Sequence, residues 1–494
     1  MTVGSLLQLE YGNTDRMAFL TLNPQITHFK SVYRKYTNFA TEFITIQPTT
    51  DNDLSWDSEK TVEFTIPRDS DAIREIYLTF ELPDIYSNST YQFQWIKRIG
   101  EYIVKEVSIQ LDTNQNLDKH YSEWFHAYSE LNYKEGKKDG YYRMIGNVPE
   151  LYNPANAPGN NGIYPSTNYA PSIINRKVYL PLIFWFNKFA SLSFPIIATQ
   201  RSELRIKFLL RRLNELYTII DPTTGYRIKP SQPAHYIGNF FSPPTTESSL
   251  VITPRLEINN IFLDNEERKR FALSAHEYLI TQLQKIEQTY KQNNIQIDLK
   301  NINKPVSQIV FMIRRTDMED VNEWSNFTNW NQETIPPYSN GYFNPHGTAL
   351  TIDSSNIKYY KTSNLLKSAT FKIQGHEITT GNVRNNDVPK SSRLNGKDSV
   401  FYNLMENFNF NNTMPSEGIY TYSFALDNSD IQPTGAINMS SLDKKELDLI
   451  LTELNTTRSY TTPNSLYNYN VIIFAVNYDI LTIMAGIGGL KYAN

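Results

Sequence analysis

Hydrophobic and polar positions alternate along many short stretches of this chain, which is the pattern of β-strands with one buried face. Val62, Phe64 and Ile66 form the first clear alternation, and residues 73–82 form the second, after a charged turn at 67–71. Two alternating runs on either side of a turn commonly pair with each other. We therefore interpret this region as a β-hairpin.

Further apolar runs of strand length recur through the chain, separated by polar stretches rich in Asn, Ser, Gly and Pro. They lie at residues 102–111, 177–186, 204–208, 256–263, 308–313, 370–373, 419–425 and 470–478. The polar, Pro-containing stretch 221–244 is the best candidate for a linker, because a similar order of elements begins again after it. Short strands joined by uneven loops, in two successive halves, predict two tandem β-sandwiches.

Helical spacing is confined to a few segments. Ile26, Phe29, Val32, Tyr33 and Tyr36 recur at steps of three and four residues after Pro24, with Lys30, Arg34 and Lys35 between them. This spacing predicts a short, basic, amphipathic helix that leads into a first strand. It has the character of a docking element and carries no catalytic group.

Two other helices are predicted, together with two irregular segments. Residues 119–128 have the character of a short helix, and Asp264 followed by Glu267 resembles a capping box that begins a helix over 265–272. Residues 149–172 form a long Asn-, Pro- and Gly-rich loop, a kind of segment that commonly carries function. The glycines of 486–489 follow a strand and are interpreted as a flexible tail.

Composition agrees with a β-rich chain of more than one domain. The 494 residues exceed one ordinary core, and the 33 Tyr, 26 Phe and 25 Pro favour strands and loops. There is no cysteine, which excludes disulfides, thiolate metal sites and cysteine nucleophiles. No apolar stretch reaches the ~18 residues of a membrane span. Because the N-terminus lacks a signal-peptide core, we expect a soluble protein that is neither secreted nor inserted.

Candidate chemistry is sparse, and we predict neither an enzyme nor a cofactor. The seven histidines are scattered, so structural histidines are favoured over a metal site. The acids at 264, 266 and 267 could form a catalytic pair, but acids at a helix start and bases after them suit the helix dipole. No nucleophile elbow or phosphate-binding loop is present. An enzyme is therefore the weakest hypothesis.

Basic residues cluster at three places in a chain whose net charge is −4. These places are Lys30/Arg34/Lys35, residues 201–212 and Arg314/Arg315. A nucleic-acid surface would require such clusters to converge beside stacking aromatic rings. We favour solvated strand edges or surfaces for acidic partners, and we expect no direct contact with nucleic acid.

The segment Asn23-Pro24-Gln25-Ile26-Thr27, followed by Phe29-Lys30, resembles the N-terminal motif of the major capsid proteins of nucleocytoplasmic large DNA viruses. The resemblance covers nearly the whole chain. Later matches are Asp118-Lys119-His120-Tyr121, Leu263-Asp264 with Glu267-Arg268, His276-Glu277-Tyr278-Leu279-Ile280, Gly418-Ile419-Tyr420 and Gln432-Pro433-Thr434-Gly435. The sequence departs from the family pattern at Leu22 and His28 and over 285–305 and 314–348.

The resemblance implies an all-β double jelly-roll: two tandem eight-stranded antiparallel β-sandwiches with short helices in the loops. The expected organisation is an N-terminal arm at 1–26, a first jelly-roll at 27–235, and a second at 236–494 with a C-terminal tail. It further implies a structural major capsid protein whose homotrimers form pseudo-hexameric capsomers that tile an icosahedral virion, assembled in the host cytoplasm.

The resemblance also implies where partners bind. The arm would lie on the inner side of the shell, where it meets minor capsid proteins or the membrane side through Asn23, Pro24, Gln25, Ile26, Phe29, Lys30 and Arg34. Neighbouring capsomers and penton proteins are the other expected partners. Sequons at Asn88, Asn326, Asn411, Asn438 and Asn455 predict surface loops and are candidate glycosylation sites.

Two alternatives from other classes remain open. A minor capsid protein would share the resemblance, although five-fold vertices usually use single jelly-rolls and this chain is long enough for two. A tandem jelly-roll glycan-binding protein would show aromatic platforms beside clustered acids, and no such cluster is evident in the sequence.

Overall fold

The computed structural model describes residues 2–11, 15–49, 53–88, 90–112, 115–160, 170–220, 227–329, 363–379, 396–409, 412–452 and 467–492. The chain divides into two compact units, Met1–Phe39, which we call the arm, and Ala40–Asn494, which we call the body. No helix in the described part of the chain is both long and apolar enough to cross a membrane.

The arm contains the helices α1 (Val3–Tyr11) and α2 (Asp15–Thr21), and residues 22–38 then form neither helix nor strand. The prediction of a helix over 26–36 is therefore wrong. Its apolar positions have helical spacing, but all of these side chains are exposed. A short isolated helix is marginal in water unless its apolar face packs against something. The irregular segment reaches Phe39, beyond the predicted end of the arm at residue 26.

Strands dominate the first half of the body. They are β1 (Phe39–Ile46), β2 (Asp53–Leu54), β3 (Lys60–Thr65), β4 (Ala72–Leu82), β5 (Gln92–Trp95), β6 (Val104–Leu111), β7 (Gln115–Tyr121), β8 (Arg176–Pro181), β9 (Leu204–Leu210), β10 (Tyr217–Ile220), β11 (Arg227–Ile228), β12 (Leu250–Val251) and β13 (Arg255–Leu263).

These strands form the first jelly-roll, whose two main sheets have the orders β1-β13-β4-β8 and β3-β9-β6-β7. The inward residues of both sheets share one core, in which the rings of Phe64 and Phe208 lie 5.7 Å apart between centroids. Eight strands in two stacked sheets is the expected jelly-roll arrangement.

The predicted hairpin is wrong in its pairing, although both of its strands exist. β3 pairs with β9, whereas β4 pairs with β13 and β8. The two strands therefore belong to opposite sheets of the sandwich. Alternation identifies a strand and its buried face, but it does not identify the partner, which here lies more than a hundred residues away.

The second jelly-roll follows. Its strands are β14 (His276–Tyr290), β15 (Asn294–Asp298), β16 (Pro305–Arg315), β17 (Thr328–Asn329), β18 (Ser363–Asn364), β19 (Leu366–Ile373), β20 (His376–Glu377), β21 (Lys397–Asp398), β22 (Ile419–Ser423), β23 (Ile437–Asn438), β24 (Lys445–Leu451), β25 (Tyr469–Met484) and β26 (Ile487–Leu490). The main sheets are β14-β25-β16-β22 and β15-β24-β19-β20. The expected double jelly-roll is confirmed.

The C-terminal glycines belong to this roll. β26 pairs antiparallel with the end of β25, from Leu481↔Leu490 to Met484↔Ile487. Ala485 and Gly486 make the turn with positive φ angles of 54° and 84°. The flexible-tail prediction is therefore wrong for 486–490, because two residues in left-handed conformations close a tight hairpin.

The chain passes from one roll to the other after Leu263. β12 pairs with β2, and β13 lies between β1 and β4, so residues up to 263 lie in the sheets of the first roll. The predicted boundary between residues 235 and 236 falls before these strands. A polar, Pro-rich stretch marks a loop, and a loop can end inside a domain as well as between two domains.

Short helices occupy the connections. They are α3 (Ile99–Tyr102), α4 (Ser122–Asn132), α5 (Glu135–Met144), α6 (Pro149–Tyr152), α7 (Trp185–Lys188), α8 (Asn265–Leu273) and α9 (Glu406–Asn409), the last preceded by a π-helical turn at Phe401–Met405. The Asp264 side chain accepts hydrogen bonds from the backbone N–H groups of Glu266 and Glu267, which confirms the predicted cap of α8. The predicted helix at 119–128 begins later, at Ser122.

Candidate assembly surfaces

One sheet of the second roll is buried on both faces and joins the two rolls. Along β16, Ile309, Phe311 and Ile313 point into the core of the second roll, while Val310 and Met312 join the core of the first. β25 does the same, with Ile473 on one side and Phe474 on the other. A strand covered on both faces is apolar throughout rather than alternating. We call the contact between the rolls the seam.

A buried carboxylate lies in the seam among three cations. Glu123 of α4 is 3% exposed. Its carboxylate oxygens lie 3.4 Å from Arg211, 3.5 Å from Arg314 and 3.7 Å from Lys285. Arg211 belongs to the first roll, whereas Arg314 and Lys285 belong to the second. The carboxylate of Glu123 therefore bridges the two rolls electrostatically.

The same cations determine the protonation of this carboxylate. Burial alone would raise the pKa of Glu123, but Lys285, Arg211 and Arg314 together lower it to about 2. Opposite charges at this distance in a poorly hydrated site favour the ionised form. Glu123 is thus ionised at neutral pH.

Trp324 extends this cluster by packing beneath the two arginines. The guanidinium carbons of Arg211 and Arg314 lie 4.4 Å and 5.3 Å from the centroid of its ring. Its indole N–H donates a hydrogen bond of 3.0 Å to the carbonyl of Glu215 in the first roll. A stacked ring with a satisfied N–H fixes the orientation of both guanidinium groups.

A second polar contact fixes α4 to the other roll. The backbone N–H of Thr413 donates to the carbonyl of Leu131 at 2.7 Å, and the Thr413 hydroxyl donates to the carbonyl of Glu130. The Glu130 carboxylate is itself held by Arg98 and lies 3.2 Å from Lys138. Together these contacts make α4 one of the elements that carry polar bonds across the seam.

The fold buries the basic residues Arg211, Arg314 and Arg315, and it brings Arg211 and Arg314, from two different clusters, together at Glu123. Arg211, Arg314 and Arg315 are 6%, 3% and 1% exposed, and Arg315 pairs with Asp317 at 2.5 Å. The expectation of solvated strand edges is therefore wrong for these three residues. Arg205 lies at the surface and pairs with Glu203 at 2.8 Å. Within the described body, Arg211 and Arg314 therefore meet around a buried carboxylate and not at an exposed basic face.

The predicted docking residues of the arm are all exposed. Asn23 adopts a left-handed conformation with φ of 54°, which turns the chain directly before Pro24. Phe29 is 99% exposed and Ile26 73%, while Gln25, Lys30 and Arg34 are exposed as well. Tyr33 and Tyr36 are also exposed. A run of large apolar side chains that faces solvent is unusual in a monomeric soluble protein.

The candidate glycosylation sites differ in accessibility. Asn88 and Asn438 are exposed. Asn326 is 4% exposed, and its side-chain oxygen accepts hydrogen bonds from the N–H and hydroxyl of Thr328, so its amide does not reach the surface of the folded chain. Asn411 and Asn455 lie outside the described residues. Within the described residues, no three His, Asp or Glu side chains are grouped to hold a metal ion.

Sequence reasoning missed the seam, although one signal was available. The run from Ile309 to Ile313 and the run from Val471 to Val476 contain apolar residues at nearly every position. A half-buried strand would alternate, so these runs indicate burial on both faces. The cluster around Glu123 left no comparable signal, because its members lie far apart in the sequence and meet only in the folded chain.

The family comparisons agree with this architecture. The family described as "Major capsid protein N-terminus" matches residues 27–264, and the family described as "Large eukaryotic DNA virus major capsid protein" matches residues 267–489. The two matches meet where the structure passes from the first roll to the second. Together they cover both rolls.

Individual relatives extend over the whole chain. The major capsid protein of Paramecium bursaria Chlorella virus 1 is 28% identical over 512 residues, covering 99% of this chain and all of the relative. That of Phaeocystis pouchetii virus is 27% identical over 549 residues, with the same coverage. Among solved structures, a protein of the PBCV-1 virus capsid has a TM-score of 0.65 at 24% identity, covering 95% of this chain and all of that one. The chain belongs to the double jelly-roll major capsid proteins of large eukaryotic DNA viruses and is a structural protein of the virion capsid.

Proposed function

We propose that three copies of this chain form a closed trimer that serves as one pseudo-hexameric capsomer of an icosahedral shell. The observation that carries the proposal is the sheet β14-β25-β16-β22 of the second roll, which packs against the cores of both rolls and holds them together as one body. Three such bodies around a three-fold axis present six lobes, and closed symmetry makes a nearly hexagonal tile. Capsomers of this outline would contact one another along their edges and penton proteins at the vertices.

The arm supplies the proposed contact with the inner layer of the virion. Its exposed apolar side chains Ile26, Phe29, Val32, Tyr33 and Tyr36 alternate with the cations Lys30, Arg34 and Lys35. Such a surface fits a minor capsid protein with an apolar groove and acidic rim, or the membrane side beneath the shell.

A building block of a capsid shell has few chemical requirements. Its role needs no catalytic group, no cofactor and no direct contact with nucleic acid, in agreement with a net charge of −4 and basic residues that are largely paired within the body. Assembly in the host cytoplasm suits a chain without cysteine.

The trimer is tested by the mass of the purified protein in solution. Light scattering after size exclusion should give about 172 kDa, three times 57.3 kDa. The mass should persist on dilution. A folded monomer of 57.3 kDa that remains stable on dilution would contradict the capsomer and favour a binding module instead.

The docking role of the arm is tested separately. Phe29→Ser should leave the trimer mass unchanged but reduce incorporation of the protein into particles when it is the only copy expressed during infection. Asn38→Ser, at an exposed polar position of the same segment outside the proposed docking residues, is the matched control and should be incorporated normally. Equal incorporation of both variants would contradict the docking role of Phe29.

A further inference from the structure

A cavity of about 560 Å³ opens at the seam, between the loops of the first roll and the sheet of the second. Arg74, Tyr128 and Lys188 line it from the first roll, and Thr281, Gln308 and Tyr478 line it from the second. Its volume lies in the range of small-molecule sites, which is about 300–1,000 Å³. Its walls combine aromatic rings with a few polar groups, as such sites do.

Lys188 is the charged group of this cavity. Its Nζ lies 3.4 Å from the hydroxyl of Thr281 and 5.2 Å from the centroid of the Tyr128 ring. Among the described residues, no carboxylate lies within 4.0 Å of it. Burial lowers the pKa of Lys188 to about 8, with partial compensation from Asp118. The Lys188 side chain is half-buried, and a partly desolvated ammonium group without a close counterion is costly.

Further donors without partners line the same cavity. Within the described residues, the Nε of Arg74 and the Nε2 of Gln308 are buried and have no hydrogen-bond acceptor. Arg74 is only loosely paired, with its terminal nitrogen 3.7 Å from Glu75. The side-chain nitrogen of Asn187 donates to the carbonyl of Arg74, which holds that residue beside Lys188. Buried donors are normally satisfied, so these atoms indicate a place for an acceptor.

Two acidic side chains, Glu75 and Asp430, also line the cavity, and both already have a hydrogen-bond or ion-pair partner. Glu75 is the loose partner of Arg74, and the Oδ1 of Asp430 accepts a hydrogen bond from the N–H of Gln432 at 3.3 Å. Lys137 adds a third cation at 4.7 Å from the Tyr133 ring. Cations thus outnumber acids on the wall, and the excess charge is positive.

We propose that this cavity binds a small organic anion that carries a carboxylate or phosphate on a flat apolar body. The anionic oxygens would accept from Lys188, Arg74 and Gln308, and the apolar body would lie against Tyr128, Trp124 and Tyr478. This inference is independent of the capsomer, because a trimer can form whether or not the cavity is filled. A ligand here touches both rolls and would stabilise the seam.

The probe is phenyl phosphate, which combines both halves of the proposed ligand. Phenol carries only the apolar half, and inorganic phosphate carries only the anion. Comparing the three affinities distinguishes a site for a free anion from a site for the whole ligand. Binding to the full-length protein is measured by titration calorimetry at low ionic strength, and stabilisation is measured by thermal unfolding. Phenyl phosphate should bind at least tenfold more tightly than either half.

Two variants locate the site. Lys188→Met keeps the length of the side chain and removes its charge, and it should weaken phenyl phosphate binding at least tenfold without lowering the melting temperature of the free protein. Arg74→Met should weaken binding at least fivefold. Lys300→Met, the same change at an exposed lysine 3.5 Å from Asp298, is the matched control and should bind normally.

Three results would overturn the proposal. They are no detectable binding of phenyl phosphate at millimolar concentration, equal affinity for phenyl phosphate and inorganic phosphate, and equal weakening by Lys188→Met and Lys300→Met. If the Lys188→Met variant does not fold, Arg74→Met still tests the site, because Arg74 lies on the wall of the same cavity.

Discussion

Glu123 determines how the charges of the seam balance. A single carboxylate faces Arg211, Arg314 and Lys285 at 3.4–3.7 Å, and all of these side chains are largely buried. Each cation also has a second acidic neighbour: Glu215 lies 3.7 Å from Arg211, Glu319 lies 3.8 Å from Arg314, and Glu287 lies 2.7 Å from Lys285. Glu123 is the carboxylate that contacts all three cations, and removing one member of a buried ion cluster is strongly destabilising. The cluster therefore makes the alignment of the two rolls sensitive to one residue.

We predict that Glu123→Gln lowers the free energy of unfolding by about 3 kcal/mol at pH 7. The estimate follows from the lowering of the Glu123 pKa from 4.5 to about 2, at about 1.4 kcal/mol for each unit. Urea unfolding followed by tryptophan fluorescence measures the difference. Glu59→Gln, which removes a surface pair with Lys105, is the control and should cost less than about 1 kcal/mol.

The pH dependence of this variant has a definite sign. The folded-state pKa of Glu123 is lower than its unfolded value, so its stabilisation is fully present above about pH 4.5 and is lost as the pH falls towards 2. The gap in unfolding free energy between wild type and Glu123→Gln should therefore stay constant from pH 7 to 5 and narrow below pH 4. A gap that widens on acidification would contradict the assignment.

Gly418 occupies a position at which the backbone leaves no room for a side chain. Its φ is +92°, and an added Cβ would lie 2.3 Å from the carbonyl oxygen of Phe327. We predict that Gly418→Ala lowers the free energy of unfolding by about 3 kcal/mol or more, because the clash is with backbone. Gly375→Ala has a similar φ of +80° but open space around its Cβ, so it measures the conformational cost alone, about 1 kcal/mol. Equal losses in urea unfolding would show that the clash with Phe327 is relieved.

At the scale of the elements, local sequence patterns predict the secondary structure of a segment better than they predict its partner in the fold. The sequence predicts strands at 204–208, 256–263 and 370–373, and the structure has them at 204–210, 255–263 and 366–373. These strands and the Asp264 cap follow from apolar patterning and from capping chemistry, which depend on near neighbours. The pairing of β3 with β9 depends on a partner about 140 residues away. The Glu123 cluster depends on four distant residues together. Neither leaves a mark in a short window of sequence.

The arm illustrates the opposite error. Its spacing is helical, yet residues 22–38 are irregular and exposed, because propensity and periodicity alone rarely hold a short helix. We predict that a peptide of residues 22–38 shows no helical circular dichroism signal in buffer at 25 °C. The control is the same peptide in a helix-promoting alcohol, where a helical signal is expected. A helical spectrum in plain buffer would contradict the described conformation.

At the scale of the whole molecule, the arm and the body have separable roles. The side chains of residues 22–38 are exposed, whereas the body contains both cores and the seam. We predict that deletion of residues 1–38 changes the melting temperature by less than about 2 °C. The shortened protein should still form a particle of three chains, but shells should no longer form. Calorimetry, light scattering and electron microscopy measure the three quantities. A deletion variant that unfolds would show that the arm is part of the folding unit.

The position of β13 has a consequence for how the protein is made. β13 lies between β1 and β4, yet it is translated long after both of them. At about 5–20 residues per second, a ribosome needs roughly 10 to 30 s to travel from the end of β4 to the start of β13. Throughout that interval, both earlier strands present open edges in a crowded cell that makes many copies at once, and open edges are templates for aggregation. The first roll thus has to avoid aggregation for the whole of that interval before β13 can close its sheet.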